Sequence, residues 1–186
     1  MRNGADKAIE TLDLEGIPCQ VVRRNSRRVR IAFLSGRLRM VLPRNLDPLT
    51  IIDRYKKWIL DKHEWFKQQR LLAERLELVH RSNEEFLGLV RELSGLYAGV
   101  LAARPAGIGF RRMKSKWGSC SSLGKITLNT WLQVLPDELV AFVVFHELAH
   151  LRVHNHGPEF KALIRSQFPH RRELDKQLKL YSLKIL

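Results

Sequence analysis

His146-Glu147-Leu148-Ala149-His150 is the stretch of sequence that decides the fold of this chain, and His156 follows it six residues later. On a helix, residues four apart lie on one face, so the imidazoles of His146 and His150 can converge on one metal ion. Glu147 lies one position round, within reach of a water in the metal's open position. A catalytic zinc needs three protein ligands, an open position and a base. The spacing predicts His146, His150 and His156 as metal ligands and Glu147 as general base.

A pair of ordinary helix histidines is the alternative interpretation, and the surrounding sequence disfavours it. The motif follows the apolar run 139–145, where unpartnered polar side chains would be costly to bury. Asn155 with Gly157-Pro158 is a turn signal that ends the helix where His156 must fold back. The sequence therefore predicts a metal site.

His156 is a better third ligand than His154 for geometric reasons. On a straight helix His154 would lie about 12 Å along the axis from His146, which does not suit metal–nitrogen bonds of about 2.0–2.1 Å. A residue beyond the helix end can approach from another side. His154 is expected at the rim of the site, or as an exposed histidine that complements the helix dipole. Glu159 and His170 are weaker ligand candidates.

Charge is the second informative feature. The 33 Lys and Arg against 19 Asp and Glu give a formal charge of +14, with basic clusters at 23–24, 27–30, 111–116 and 170–172. Such a balance favours acidic partners, namely nucleic acid, nucleotides or anionic protein surfaces. A generically basic soluble protein is the alternative. Aromatic residues are not interleaved with the clusters, so a base-stacking platform is not indicated.

The composition favours a cytoplasmic protein with no membrane partner. The apolar run 139–145 is far too short to span a bilayer. The first residues contain no hydrophobic signal core. Cys19 and Cys120 are the two cysteines of the sequence, so a disulfide framework is not expected and a reducing compartment is.

Periodicity and turn signals predict an α+β fold. In the first part of the chain, strands are predicted over 17–24, 28–34 and 37–42, with a hairpin turn at Ser35-Gly36. A long helix is predicted from Asp47-Pro48 to about residue 79.

The second part of the chain is predicted to be mainly helical. A capping box, Ser82 to Glu85, opens a helix that reaches about residue 103. Strands follow at 108–113 and 125–129, then the metal-site helix from Pro136, and two more helices from Pro158 and from about residue 171.

Several motifs together resemble the YgjP-like metallopeptidase family. They are Arg24-Asn-Ser-Arg-Arg28, Val41-Leu-Pro43, Lys57-Trp58-Ile59, Lys116-Trp-Gly-Ser-Cys-Ser121, Ile126-Thr-Leu-Asn129, and His146 to His150 with Asn155-His156. The resemblance spans most of residues 20–173. It implies a zincin-like core, gluzincin-like or SprT-like, with a small antiparallel sheet and a strand above the helix that carries the two histidines. It also assigns His146, His150 and His156 to zinc and Glu147 to the base.

Two segments depart from the family's pattern. Residues 82–107 look short and helical where the family has extra strand-like sequence. The string His156-Gly-Pro-Glu-Phe160 looks more like SprT-like proteases, some of which act on proteins attached to DNA. The chain is expected to form one unit, residues 1–186. Its parts are N-terminal strands and a long helix (17–80), a connecting helix (81–107) and the catalytic zinc-binding part (108–186).

The leading hypothesis is a zinc metallopeptidase with one Zn²⁺ per chain and a protein or peptide substrate. Zinc would activate a water, and Glu147 would take its proton. If the strand over 125–130 forms the upper edge of the cleft, an extended substrate would pair with it near Leu128, Asn129 and Thr130. Arg111, Lys114 and Lys116 are candidates for holding an anionic group, and His154 for a substrate contact.

Two other functions stay open at this point. A nucleotide phosphoanhydride hydrolase would use the same water, with residues 111–116 holding phosphates, although the sequence has no phosphate-cradling glycine loop. A non-catalytic nucleic-acid-binding module with structural zinc would explain the charge but leave Glu147 without a role. Cys120 as a fourth ligand would close the site, which is disfavoured for the same reason. Trp117 is expected in the core rather than in contact with substrate.

Overall fold

The structure, a computed structural model, describes residues 9–34 and 37–186. Contacts group the chain into two compact units, one ending at Leu72 and the other running from Ala73 to Leu186. The sequence predicts one unit whose first two parts meet near residue 80, whereas the contacts place a division inside the first helix. The two units are described separately below.

The first unit is a four-stranded sheet with a long helix. Its elements are β1 (Ile9–Leu14), β2 (Ile17–Arg24), β3 (Arg30–Leu34), β4 (Arg37–Pro43) and all but the last two residues of α1 (Pro48–Glu74). The strand order is β1-β2-β4-β3. The β2–β4 pair is parallel and the other two pairs are antiparallel.

One face of this sheet is buried because apolar residues alternate along β2 and β4. Their inward side chains form a core with Ile51, Ile52 and Ile59 of α1. The three strands predicted here are confirmed within a residue or two. The predicted turn at Ser35-Gly36 lies outside the described residues. Strand β1 was missed, because acidic residues interrupt its apolar pattern.

Helix α1 ends about five residues before its predicted end. The backbone N–H of Leu76 donates to the carbonyl of Ala73, which closes the helix in a turn. The N–H of Val79 then donates to the carbonyl of Val134, at 2.9 Å. The N–H of Val79 therefore bonds to a carbonyl 55 positions later in the chain instead of to one in the same helix. Hydrophobic periodicity along the helix cannot predict such a long-range hydrogen bond.

The second unit combines a three-stranded sheet with helices. Its elements are α2 (Asn83–Leu101), β5 (Gly107–Arg111), β6 (Gly118–Cys120), β7 (Lys125–Asn129), a 3-10 helix (Thr130–Val134), α3 (Asp137–Ala149), α4 (Pro158–Gln167) and α5 (Arg171–Ile185). The capping box predicted for α2 is confirmed, because the side chain of Ser82 accepts from the N–H of Glu85 and Glu85 accepts from the N–H of Ser82.

The α+β class is confirmed, with a small sheet and a helix that carries the histidine motif. The sheet order is β5-β7-β6. The sheet is mixed rather than wholly antiparallel, because β5 pairs with β7 in parallel and β6 pairs with β7 antiparallel. Strand β7 is therefore the central strand of this sheet.

Helix α3 is the centre of the second unit's core. Nine of its side chains are buried, and it packs against α2, α4, α5, β6 and β7. A helix that is apolar on all sides is stable only when it is surrounded. The C-terminal turn of α3 carries His146 and Glu147, so the packing of the whole unit fixes these two side chains. The described helices are each too short or too polar to cross a membrane.

Candidate active site

Three imidazoles converge at the end of α3. One ring nitrogen from each of His146, His150 and His156 can be chosen so that all three atoms lie within 4.8 Å of one another. The Nε2 atoms of His146 and His156 are 3.2 Å apart. The three predicted ligands are thus brought together, and no other residue of the described ranges joins this group.

A turn after α3 brings His156 back to the helix. The helix ends at Ala149, and the N–H groups of Leu151 and Arg152 donate to carbonyls three positions earlier. The side chain of Asn155 then accepts from the N–H of Gly157 at 3.0 Å, and Pro158 begins α4. The helix end and the return of the chain match the prediction from Asn155 and Gly157-Pro158.

His150 is oriented by a backbone carbonyl. Its Nδ1 lies 3.1 Å from the carbonyl oxygen of Val153, so Nδ1 carries the proton and Nε2 is left as an acceptor. A hydrogen bond of this kind fixes the tautomer of a metal-binding histidine. The carbonyl belongs to the same turn that returns His156.

Phe160 supports all three imidazoles. Its ring stacks on that of His150 with centroids 4.5 Å apart. Its centroid lies 5.0 Å from that of His146 and 4.8 Å from that of His156. Phe160 is only 2% exposed, so it is a fixed apolar base that limits how far the rings can turn.

The donor set suits a metal ion such as zinc. Burial, and after it the electrostatic influence of His150, His156 and Arg171, lowers the pKa of His146 to about 4. Burial also lowers the pKa of His150. Both rings are therefore neutral at pH 7, which is the form that binds metal. Three imidazoles without a fourth protein ligand among the described residues match the donor set of a catalytic rather than a structural zinc site.

The carboxyl group of Glu147 is buried beside the imidazoles. Glu147 is 7% exposed. Burial raises the pKa of this carboxyl to about 7, although the charge of Lys116 acts to lower it. A carboxyl that titrates near neutral pH can both accept and return a proton during one turnover.

Gly118 on β6 makes the room that Glu147 occupies. A Cβ atom on Gly118 would lie 2.6 Å from Cγ, 2.7 Å from Oε1 and 2.8 Å from Cδ of Glu147. Such distances are inside van der Waals contact, so any other residue at 118 would displace the carboxylate. The close approach of β6 and α3 at this point therefore requires a glycine on the strand.

The segment that leads into β6 is held by Asn129. The side chain of Asn129 donates to the carbonyls of Met113 and Lys116, each at 2.9 Å, and accepts from the N–H groups of Met113 and Trp131. Asn129 is fully buried. Its amide thus fixes the irregular loop before Trp117 and, through it, the position of Gly118.

The imidazoles and Glu147 open into a cavity of about 680 Å³. One face of α3, strand β6 with its flanking residues and part of α5 line it. The lining residues are Lys116, Trp117, Gly118, Ser119, Cys120, Ser121, Ser122, Phe142, Val143, His146, Glu147, His150, His154, His156, Asp175 and Leu178.

Comparison with known proteins assigns this chain to a family. The family described as YgjP-like, metallopeptidase domain, matches residues 74–181. This chain belongs to the YgjP-like metallopeptidase family. The matched range covers more than half of the chain and contains every element that forms the site.

Two solved structures are similar to this YgjP-like chain. One is the metallopeptidase zymogen abylysin of Pyrococcus abyssi, with 24% identity, a TM-score of 0.44, and coverage of 48% of this chain and 90% of that one. The other is the zymogen jannalysin of Methanocaldococcus jannaschii, with 24% identity, a TM-score of 0.43, and coverage of 49% and 92%. No curated protein sequence matches the chain.

The predicted substrate residues of the YgjP-like chain fall into two groups. Lys116 and His154 line the cavity. Arg111 and Lys114 do not line it. The basic cluster 111–116 is therefore not a continuous anion site at the metal ligands.

The prediction of substrate pairing along residues 128–130 is wrong. Strand β7 has β5 on one side and β6 on the other, so its backbone has no free edge. Leu128 and Asn129 are fully buried, and Thr130 begins the 3-10 helix. Asn129 is a structural residue. The strand that borders the cavity is β6.

Two residues of the Lys116–Ser121 motif have mixed roles. Trp117 belongs to the core, as predicted, and also borders the cavity. Its indole Nε1 is buried without a partner among the described residues. Burial, and then the charge of Glu147, raise the pKa of the Cys120 thiol. Cys120 is outside the group of possible metal ligands.

The two weaker ligand candidates lie elsewhere. Glu159 is in the first turn of α4. His170 contacts Glu138, with Nε2 2.7 Å from the carboxylate oxygen.

Three parts of the site were missed from the sequence. They are Phe160 beneath the imidazoles, the wall of Phe142 and Val143, and the pair Asp175 and Leu178 on α5. Phe142 carries a usable signal, because it lies four positions before His146 on α3, whereas Phe160 is on α4, after the turn that contains His156. Asp175 carries none, since only the packing of α5 brings it to the cavity.

Proposed function

We propose that this chain is a zinc-dependent peptidase that hydrolyses peptide bonds in protein or peptide substrates, with Glu147 as general base. The observation that carries the proposal is the convergence of three imidazole nitrogens within 4.8 Å beside a buried carboxyl, in a cavity open to solvent. Membership of the YgjP-like metallopeptidase family supports the reaction class.

The three imidazoles would hold one Zn²⁺ per chain. When bound, zinc supplies a lowered pKa for water, toward about 7, and polarisation of a carbonyl oxygen. The hydrogen bond from His150 to the carbonyl of Val153, and the ring of Phe160 beneath, hold the ligands in place before the metal arrives.

Glu147 carries the proton transfers of the reaction. As the oxygen of a water forms a bond to the carbonyl carbon of the substrate, the Glu147 carboxylate accepts one proton of that water. When the carbon–nitrogen bond breaks, Glu147 gives this proton to the leaving amine nitrogen. The products are a carboxylic acid and an amine, and Glu147 is ionised again.

Strand β6 is the proposed site of the substrate backbone. Among the described residues β6 pairs with β7 on one side only, and all three of its residues line the cavity. An extended peptide could add to this edge by backbone hydrogen bonds. Lys116 and His154, which also line the cavity, would contact substrate side chains.

The phosphoanhydride alternative is not favoured. It requires the basic residues 111–116 to hold phosphates beside the imidazoles, yet Arg111 and Lys114 are not part of the cavity wall. We also propose a cytoplasmic setting, which the two unpaired cysteines Cys19 and Cys120 support.

Two variants measured together test the proposal. Metal content of the wild type, His156→Ala and Glu147→Gln would be determined by mass spectrometry, and hydrolysis of an unfolded protein substrate would be followed. We expect one zinc per wild-type chain, a loss or weakening of zinc in His156→Ala, and full zinc in Glu147→Gln. Glu147→Gln should lose about 10²- to 10⁴-fold in turnover.

Hydrolysis by Glu147→Gln at the wild-type rate would exclude Glu147 as the base. A wild-type protein that arrives without metal and does not take up added zinc would overturn the metal site itself.

A further inference from the structure

The first unit carries a concentration of arginines that the peptidase site does not use. They are Arg24, Arg27, Arg28, Arg30, Arg37, Arg39 and Arg44, here called the arginine surface. Six of them are exposed and Arg39 is half-buried. Within the described residues none of the seven forms an ion pair with a carboxylate.

Strand register places three of these arginines on the outer face of the sheet. Ile31 opposes Met40 and Phe33 opposes Leu38, and these four residues belong to the buried face. The alternate residues Arg30, Arg37 and Arg39 therefore point to the other face, because neighbouring side chains on a strand alternate. Gln20 of β2 lies opposite Arg39 on that same face.

The remaining arginines lie in a groove at the end of the same sheet. Arg24, Arg27 and Arg44 line it, together with Asn25, Ser26, Val29, Pro43, Asn45 and Leu46. Arg28 is in the same loop, and its N–H donates to the hydroxyl of Ser26 at 3.1 Å. The sheet face and the groove share strands β2 and β4.

Arg23 holds the loop that forms one side of this groove. Its guanidinium donates to the carbonyls of Pro43, Arg44 and Leu46, and it also pairs with Glu10 at 3.5 Å. Arg23 is thus occupied in holding the loop that presents Arg44. The backbone that carries Arg44 is therefore fixed by the fold, which reduces the entropy lost when a ligand binds.

Arg39 gives a further sign that a partner is missing. Its Nε is buried and has no hydrogen-bond acceptor among the described residues. Buried N–H donors in folded proteins are nearly always paired. Its direct neighbours on the adjacent strands, Gln20 and Ala32, carry no charge.

The chemistry of the surface selects the partner. Guanidinium groups bind phosphate oxygens in a planar, two-pronged manner. The described outer face of the sheet has no aromatic side chain, since Phe33 packs inward against Trp58 and Phe66. Bases therefore have no stacking platform, which disfavours single strands. We propose that the arginine surface binds duplex DNA through its phosphate backbone, without reading the base sequence.

Binding of the full-length protein to a labelled duplex of 20 base pairs, followed by fluorescence anisotropy over a series of salt concentrations, tests this proposal. The variant changes Arg27, Arg30, Arg37 and Arg44 to Gln. The matched control changes Arg91, Arg104, Arg165 and Arg172 to Gln, which are exposed arginines of the second unit. Both variants lose the same charge, so only position differs.

We expect the first variant to bind at least about tenfold more weakly and its salt slope to fall by about 0.9 for each lost phosphate contact. The control should stay within about twofold of wild type. Two duplexes of unrelated sequence should bind alike. Zinc content and melting temperature of the first variant should match wild type, and an Arg→Lys version of it should recover part of the affinity.

Four outcomes would overturn the proposal. They are equal weakening in both variants, no binding by the wild type at 50 mM salt, tighter binding of an RNA duplex than of DNA, and competition by polyglutamate as strong as by DNA. The last would indicate an acidic protein partner instead. Because the variants leave His146, His150 and His156 untouched, these results do not depend on the peptidase proposal.

Discussion

The contact between Glu147 and Gly118 directly positions the carboxylate that is proposed to act as the base. Glu147 is buried on α3, and Gly118 on β6 leaves the space that its carboxylate fills. The proposed base is therefore positioned by the absence of a side chain on the opposite element. Because the position of the carboxylate depends on this one contact, adding a single methyl group at residue 118 tests it.

Gly118→Ala should lower turnover while leaving the metal in place. The new Cβ would overlap Cγ, Cδ and Oε1 of Glu147, so the carboxylate must move, and a displacement of about 1 Å costs on the order of 10²-fold in rate. The measurement is kcat and KM with zinc content on the same sample. We expect kcat to fall and zinc content to stay at the wild-type level.

Gly107→Ala on β5 is the matched control, because a Cβ there meets nothing within 4 Å. Its kcat should equal that of the wild type. A Gly118→Ala protein with full zinc and unchanged kcat would show that Glu147 can act from a different position.

At the scale of elements, Asn129 connects the sheet to the loop before β6. Its side chain satisfies four backbone groups of residues 113, 116 and 131. Asn129→Ala leaves these groups buried and unpaired, so we expect a loss of about 2–4 kcal/mol in the free energy of unfolding. Urea denaturation followed by circular dichroism measures it.

The control for Asn129 is Gln177→Ala, an exposed amide on α5, which should change stability by less than about 0.5 kcal/mol. Equal, small effects of the two substitutions would show that water can replace the amide of Asn129.

The start of α2 depends on its capping box. The hydroxyl of Ser82 accepts from the N–H of Glu85 at 3.2 Å, and the carboxylate of Glu85 accepts from the N–H of Ser82 at 2.7 Å. Ser82→Ala should destabilise the protein by about 0.5–2 kcal/mol, seen as a lower urea midpoint. Ser82→Asp restores a capping acceptor and should recover most of the loss. A Ser82→Asp protein as unstable as Ser82→Ala would argue against the cap.

At the scale of the whole molecule, metal binding should stabilise the unit that holds the ligands. A ligand that binds only the folded state stabilises it by about 2.7 kcal/mol at one hundred times its Kd. Trp117 and Trp131 lie in the second unit, and Trp58 and Trp65 in the first. A Trp58→Phe/Trp65→Phe protein therefore reports unfolding of the second unit by fluorescence.

In that background, removal of zinc by a chelator should lower the urea midpoint, and added zinc should restore it. The same titration on a protein that also carries His146→Ala should show no shift. A shift of equal size in both proteins would mean that zinc binds elsewhere.

The sequence predicts the cluster of three histidines well because its members are close together along the chain. Helical spacing predicts that His146, Glu147 and His150 lie together. The turn signal at Asn155 and Gly157 predicts that His156 folds back toward them. Strand β6 was missed because three residues carry too little periodicity. The central position of β7 could not be predicted, since parallel pairing with β5 depends on a partner from across a loop. Asp175 reaches the cavity only through the packing of α5.

The length of β6 has a consequence for the chain in a crowded solution. An unpaired strand edge is a template on which other chains can add, and short edge strands are one means by which proteins avoid aggregation. With three residues, Gly118–Cys120, β6 offers another copy too few backbone hydrogen bonds for a lasting association. In the proposed function, a substrate on this edge gains further contacts from the cavity walls. Because β6 is short, its open edge is available for the proposed substrate binding and is still a poor template for fibre formation.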